Sequence, residues 1–252
     1  MKNLLFCVLC PILEDNYTHS IIVESYNNSL HSVKKYSGEL KEGFEQANPI
    51  DFVNSSNNTA LGYATQEFNL GGITQQITSN SLEYAYDLIN NGTIESLVTT
   101  GIDENISNTN YAEGAGALIL TNKPNDSKFE LKDVYTTCEF LKNGTIYSEI
   151  NEEFEHFLSK NNIDSYKEIK LFHNSSYSAL SKTISIKNQD FLYSISFLSK
   201  DYSNRFGQTR GASLYQGIIY AIRNYTNNRK NIVENINADG TITFVFIERV
   251  KK

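Results

Sequence analysis

The sequence predicts an α/β protein. Strand-like apolar runs alternate with helix-spaced segments along both halves of the chain. In "SLEYAYDLINNG", Leu82, Ala85, Tyr86 and Ile89 fall at i, i+3, i+4 and i+7, and the apolar run "IESLVTTGID" (94–103) follows at once. Near the other end, Gly207 and Gly211 in "RFGQTRGAS" frame a tight strand-to-helix turn.

Taken in order, "MKNLLFCVLC" (1–10) holds a lysine and a short apolar run far below a membrane span, with no small-residue cleavage site behind it. It reads as a first buried strand. Residues 26–58 are rich in Asn, Ser and Lys and contain one exposed helix near 33–46. "NTALGYATQEF" (58–68) reads as a short helix and "GGITQQIT" (71–78) as a strand. The helix over 81–90 ends at Asn90-Asn91-Gly92, a helix stop. In "YAEGAGALILTNKP" (111–124), small residues permit close backbone approach before an apolar strand, and Pro124 marks the boundary between two halves, 1–123 and 124–252, of one unit. The second half reads as strands at 132–141, 168–173, 191–198 and 241–250, with helices at 150–160 and after Gly211.

Composition narrows the function classes. At 252 residues with 40% hydrophobic and 20% charged residues, the chain can bury a large core, so neither disorder nor membrane spanning is expected. The net charge is −7 and Lys and Arg are scattered, which leaves no basic stripe for nucleic acid. Cys7 and Cys10 on one strand would point to opposite faces, suiting neither a disulfide nor a metal pair, and together with Cys138 they make an odd set. A reducing cytoplasm is the expected location. His19, His31, His156 and His173 show no paired spacing, so neither a metal nor another cofactor is expected.

Three stretches, in order and at matching intervals, resemble the β-ketoacyl synthase family of the thiolase fold. "FNLGGITQQITSNSLEYAYDLINNGTIESLVTTGIDE" (68–104) resembles its strand, nucleophile turn, helix and following strand. "YAEGAGALIL" is similar to the glycine-alanine strand that closes the first half of such synthases, and "NRFGQTRGASLYQGIIYAI" to the turn that carries a catalytic histidine. The likeness is poor over residues 1–50. It implies a layered α-β-α-β-α fold built from two related halves, here shortened.

The family's decarboxylative condensation needs a cysteine thiolate at a helix N-terminus and two histidines that stabilise the enolate and oxyanion. Residues 70–90 contain no cysteine, and the nucleophile position is open among Gln75, Gln76, Ser79, Asn80 and Ser81. Gln208 stands at the second histidine, where an amide hydrogen-bonds without transferring a proton. Ser203 stands at the usual lysine, and His173 in "KLFHNSSYS" matches the first histidine without the glycine-threonine run that follows it in the family. The glycine-rich loop expected before the last strand is reduced to "NADGT".

Such losses in a chain that keeps its folding glycines are those of chain-length factors, and the short length is most similar to members beside aryl-polyene-type pathways. The resemblance implies a heterodimer with an active ketosynthase, an acyl tunnel at their interface, and an acyl carrier protein that docks through the partner. Phe52, Asn54, Asn57, Asn58, Leu61 and Tyr63 in "NPIDFVNSSNNTALGYA" are the residues this implies at the interface or tunnel. The other reading of the same segment is a loop and helix buried against a partner without touching substrate. Two further function classes stay open: a divergent acyl-thioester enzyme (decarboxylase, acyltransferase or hydrolase) using Ser79, Ser81 or His173, and a stand-alone acyl-binding protein.

Overall fold

The first strand of the fold is not the apolar N-terminal run but Ile21–Glu24 (β1), four residues that are buried throughout. A computed structural model of the chain describes residues 2–13, 20–26, 30–56, 58–104, 112–123, 128–137, 146–174, 200–207, 209–237 and 241–250. The run expected as a strand is the helix Lys2–Leu13 (α1), with Leu5 and Leu9 buried one turn apart. An almost wholly apolar dozen residues has no readable period, and its length suits a helix better than a strand.

The first sheet has the order β2-β1-β3-β4. Thr74–Ile77 (β2) and Ser96–Asp103 (β3) flank β1 in parallel, and Gly114–Thr121 (β4) closes the sheet antiparallel to β3. Helices Leu30–Glu42 (α2), Pro49–Asn54 (α3), Thr59–Glu67 (α4) and Ser81–Asn90 (α5) occur between these strands. The observed α2 ends earlier than the helix expected near 33–46, and a single 3-10 turn, Phe44–Gln46, follows it.

The second sheet has the order β5-β9-β8-β6-β7. It consists of Phe129–Thr137 (β5), Ile169–His173 (β6), Lys200–Asp201 (β7), Lys230–Ile236 (β8) and Ile242–Arg249 (β9). Helix Ile146–Lys160 (α6) precedes β6, and Ser203–Phe206 (α7) and Gly211–Arg223 (α8) lie between β7 and β8. The strand expected at 191–198 lies outside the described residues.

Side-chain alternation sorts these elements into five layers. Ile21, Val23, Val98 and Ile102 pack outward on α1 and α4, whereas Ile22 and Leu97 face inward onto Ala85 and Ile89 of α5. Phe172, Val233 and Val245 of the second sheet meet Leu214, Tyr215 and Ile218 of α8 and Leu82 of α5. On the far face, Ile169, Leu171, Ile232 and Phe244 pack with Phe154 and Phe157 of α6. The order is therefore helix, sheet, helix, sheet, helix, with α5 and α8 buried in the middle layer.

The glycine-alanine strand explains how α8 reaches the first sheet. A Cβ on Gly101 would stand 2.0 Å from the carbonyl oxygen of Gly211, and one on Gly116 would stand 2.8 Å from Cβ of Tyr215. Both glycines lie on the inward face, so the α8 backbone packs directly on β3 and β4.

Candidate functional site

Each middle-layer helix begins on a carboxylate supplied by the end of a first-sheet strand. At α5, the backbone N–H and hydroxyl of Ser81 both donate to Glu24 Oε2, at 3.1 and 2.5 Å. At α8, Gly211 N–H donates to Asp103 Oδ2 at 2.6 Å, and Ser25 Oγ donates to the other oxygen at 3.3 Å. A negative charge at a helix N-terminus is stabilised by the unpaired N–H groups and the helix dipole.

The contact at α5 continues as a chain of hydroxyls. Ser81 Oγ also meets Tyr215 OH, and Tyr215 OH lies 2.5 Å from Thr99 Oγ1. A carboxylate can only accept, so the Ser81 proton goes to Glu24, the Tyr215 proton to Ser81 and the Thr99 proton to Tyr215. Burial, and then the charge of Glu24, hold the Tyr215 phenol well above its ordinary pKa, so it stays a neutral donor. Ser81, Tyr215 and Thr99 are fully buried. The chain ties β1, β3, α5 and α8 together, and it leaves the Ser81 hydroxyl closed to an incoming thioester.

The neighbouring nucleophile candidates are placed differently. Asn80 caps α5 in the left-handed region at φ 64°, and its buried Oδ1 has no hydrogen-bond donor among the described residues. Ser79 is half-buried beside it. Gln75 and Gln76 lie earlier, on the edge strand β2, in register with Ile22 and Val23, so they point to opposite faces of the sheet.

On the second sheet, register separates His173 from the middle layer. His173 aligns with Asp201 on one side and Glu234 on the other, and it shares the α6-facing parity of Ile169 and Leu171. Burial lowers its pKa, opposed by the charge of Asp201. The next residue, Asn174, is the one that faces α8. Its Nδ2 lies within 3.1 Å of Ser213 Oγ, Asn235 Oδ1 and the Ile236 carbonyl, and its Oδ1 accepts from Ile236 N–H at 2.9 Å. Tyr202 OH donates to the same Asn235 Oδ1 at 2.9 Å.

Ser203 is buried, and both its N–H and its hydroxyl donate to Asp201 Oδ1 as α7 begins. Gln208 lies outside the described residues. Its flanks are fixed by Gly207 at φ 74° and by Thr209, whose hydroxyl donates to Gln216 at 2.7 Å. Arg210, at φ 47°, lays its guanidinium over the Tyr26 ring at 4.6 Å. Glu24, Asp103 and Tyr215 carry no sequence signal of their own, because a lone acidic residue at the end of a strand, or one tyrosine in a helix, has no recognisable pattern.

The candidate interface residues divide into three groups. Asn58 and Leu61 line a cleft of about 360 Å³ together with Gly62, Gln75 and Gln76, so α4 and the edge strand β2 meet there. Phe52 is 59% exposed and lies against Tyr36 at 5.4 Å, with Asn54 half-buried on the same short helix. Tyr63 turns instead to α1, where the Lys2 ammonium sits 4.1 Å from its ring centre. Asn57 is outside the described residues. Among the described residues, no group of three or more His, Cys, Asp or Glu side chains is placed to hold a metal, and no helix is long and apolar enough to cross a membrane.

No family model and no curated protein matches the chain by sequence. Solved structures do match in shape. The ishigamide ketosynthase/chain length factor superimposes with a TM-score of 0.71 at 13% identity, covering 92% of this chain and 73% of that one. Ketosynthase twelve of the bacillaene polyketide synthase of Bacillus amyloliquefaciens gives 0.70 at 14% identity, over 99% of this chain and 60% of that one. The 3-oxoacyl-[acyl-carrier-protein] synthase III of Aquifex aeolicus VF5 gives 0.61 at 12% identity, over 92% and 77%. The five layers, the direct seating of α8 on β3 and β4 and these superpositions agree: this chain has the thiolase-like fold of the β-ketoacyl synthases.

Proposed function

We propose that the chain is a non-condensing, chain-length-factor-like subunit that pairs with an active ketosynthase and shapes the acyl tunnel between them. The observation that carries this reading is the closed start of α5. Where the resembling synthases need a thiolate, this chain has no cysteine, and the anion-stabilising end of the helix is already occupied by the Glu24 carboxylate.

Pairing is supported by the surface beside that helix. β2 is an edge strand, with Thr74 and Gln75 exposed. On the segment leading to it, Phe44, Ile50, Phe52 and Val53 are 82%, 63%, 59% and 50% exposed, an apolar grouping that a lone soluble chain rarely presents. The cleft beside Leu61 and Gly62 is a candidate wall of the tunnel. An acidic chain is a poor dock for an acidic carrier protein, so carrier binding falls to the partner. The matched structures include a type II polyketide acyl-carrier protein in complex with its ketosynthase bound to the hexaketide. A compact aryl-polyene-type member in a cytoplasmic heterodimer fits these features.

Co-expression with a cysteine-bearing ketosynthase of the same source tests the pairing. The reading expects a 1:1 complex on gel filtration and a lone chain that self-associates through the exposed apolar segment. A well-behaved monomer that ignores every such synthase counts against it.

A further inference from the structure

We propose that Cys7 and Cys10 form an exposed two-thiolate site for a soft d10 cation such as Zn(II) or Cu(I). On a strand these residues would face apart, but α1 is a helix, and three-residue spacing sets both on one side of it. Both are free thiols and both are exposed, while Leu5 and Leu9 occupy the buried side. Cysteine is ordinarily among the most buried residues, so two on one solvent face are not explained by packing.

The geometry favours a cation over a disulfide. Helix neighbours at this spacing have Cβ atoms about 5–6 Å apart, beyond the roughly 3.5–4.5 Å that a disulfide requires. A tetrahedral cation with metal–sulfur bonds of about 2.3 Å holds its sulfurs roughly 3.8 Å apart, which two side chains reach by rotating toward each other. Pro11 adds a second feature. It lies inside α1 and supplies no N–H to the carbonyl of Cys7, so the turn that carries both thiols is less tightly bonded and can adjust to the cation.

Binding replaces two thiol protons, released to solvent, with two metal–sulfur bonds. Thiolate ligands select Zn(II) and Cu(I) over harder ions. Two protein ligands leave the remaining positions of a tetrahedron open to water or to an external thiol, so the ion is exchangeable.

Cadmium(II) is a spectroscopic probe for such a site through its ultraviolet thiolate-to-metal charge-transfer band. Titration of the reduced, metal-free full chain is expected to give that band, saturating near one ion per chain. Cys7→Ser and Cys10→Ser should each abolish it at equimolar cadmium, whereas Cys138→Ser should retain it. Because both positions are exposed, circular dichroism and the melting temperature should match wild type in the Cys7 and Cys10 variants. A missing band, a band that survives in the Cys7→Ser/Cys10→Ser double variant, or a Cys7–Cys10 disulfide in the untreated protein would overturn the proposal.

Discussion

Ser81 and Glu24 meet twice through a single oxygen: the backbone N–H and the hydroxyl of Ser81 both end on Glu24 Oε2. Ser81→Ala would leave Tyr215 OH without its acceptor and remove one donor from a buried carboxylate. An unsatisfied buried polar group costs about 1–3 kcal/mol, so a loss of about 2–4 kcal/mol is expected. In a chain of this size each kcal/mol lowers the melting temperature by about 2–4 °C, which thermal denaturation resolves. Tyr215→Phe removes one link without stranding the carboxylate and should cost less.

Gly101→Ala should be among the worst single-methyl changes in the molecule. Its Cβ would meet backbone, the Gly211 carbonyl at 2.0 Å, and also the Tyr215 ring at 2.5 Å, so no flexible side-chain tip can yield. A cost above about 3 kcal/mol, or an insoluble product, is expected. Gly62 is the control. It sits in the exposed part of α4 with nothing within 4 Å of an added Cβ, so Gly62→Ala should gain about 0.5–1 kcal/mol from helix propensity. Equal melting temperatures for the two variants would refute the direct packing of the α8 backbone on β3.

Glu234 gives a pH dependence with a defined sign. Burial pushes its carboxyl from the ordinary 4.5 up to about 7. Between those values the folded chain holds a proton that the unfolded chain has released, so stability falls as pH rises from about 4.5 to 7, and the full cost persists above that. The cost is at most about 3 kcal/mol at 1.36 kcal/mol per pKa unit. Denaturant titration of Glu234→Gln should show a shallower fall across this window and a more stable protein than wild type at pH 8. Parallel pH profiles for the two proteins would contradict the assignment.

If the cleft beside Leu61 forms part of the acyl tunnel, filling it should shorten the product. Gly62→Phe places a ring where a Cβ meets only open space, whereas Leu61→Ala widens the cleft by several methylenes, each worth about 0.8 kcal/mol of apolar burial. Ala60 is a poor site for the same test, because it is buried in the core against α1 and a large residue there would disturb folding. Mass spectrometry of carrier-bound products from the reconstituted complex should show shorter chains for Gly62→Phe and longer ones for Leu61→Ala. An unchanged distribution at intact complex removes the ruler role from this cleft.

Elements with a clean period were legible in the sequence: the repeat at Leu82, Ala85 and Ile89 gave α5, and the small residues of 114–117 pointed to layers in close contact. Where polar residues are buried for tertiary reasons, the pattern failed. β8 is almost wholly buried, yet "KNIVENI" hides Asn231, Glu234 and Asn235 in its core positions and shows neither alternation nor an apolar run. β1 was too short to stand out between polar stretches. Strand parity also decides which of His173 and Asn174 enters the middle layer. His173 was the chemically conspicuous side chain, but strand parity turns Asn174 toward α8, and no single-sequence signal fixes which parity faces inward.

The most direct test of the central claim is a condensation assay with malonyl- and acyl-carrier substrates in three arms: this chain alone, a cysteine-bearing ketosynthase alone, and the two together. The account predicts no product from this chain alone and a product of defined length from the pair, abolished when the partner's nucleophilic cysteine is replaced. Condensation by this chain alone would contradict it.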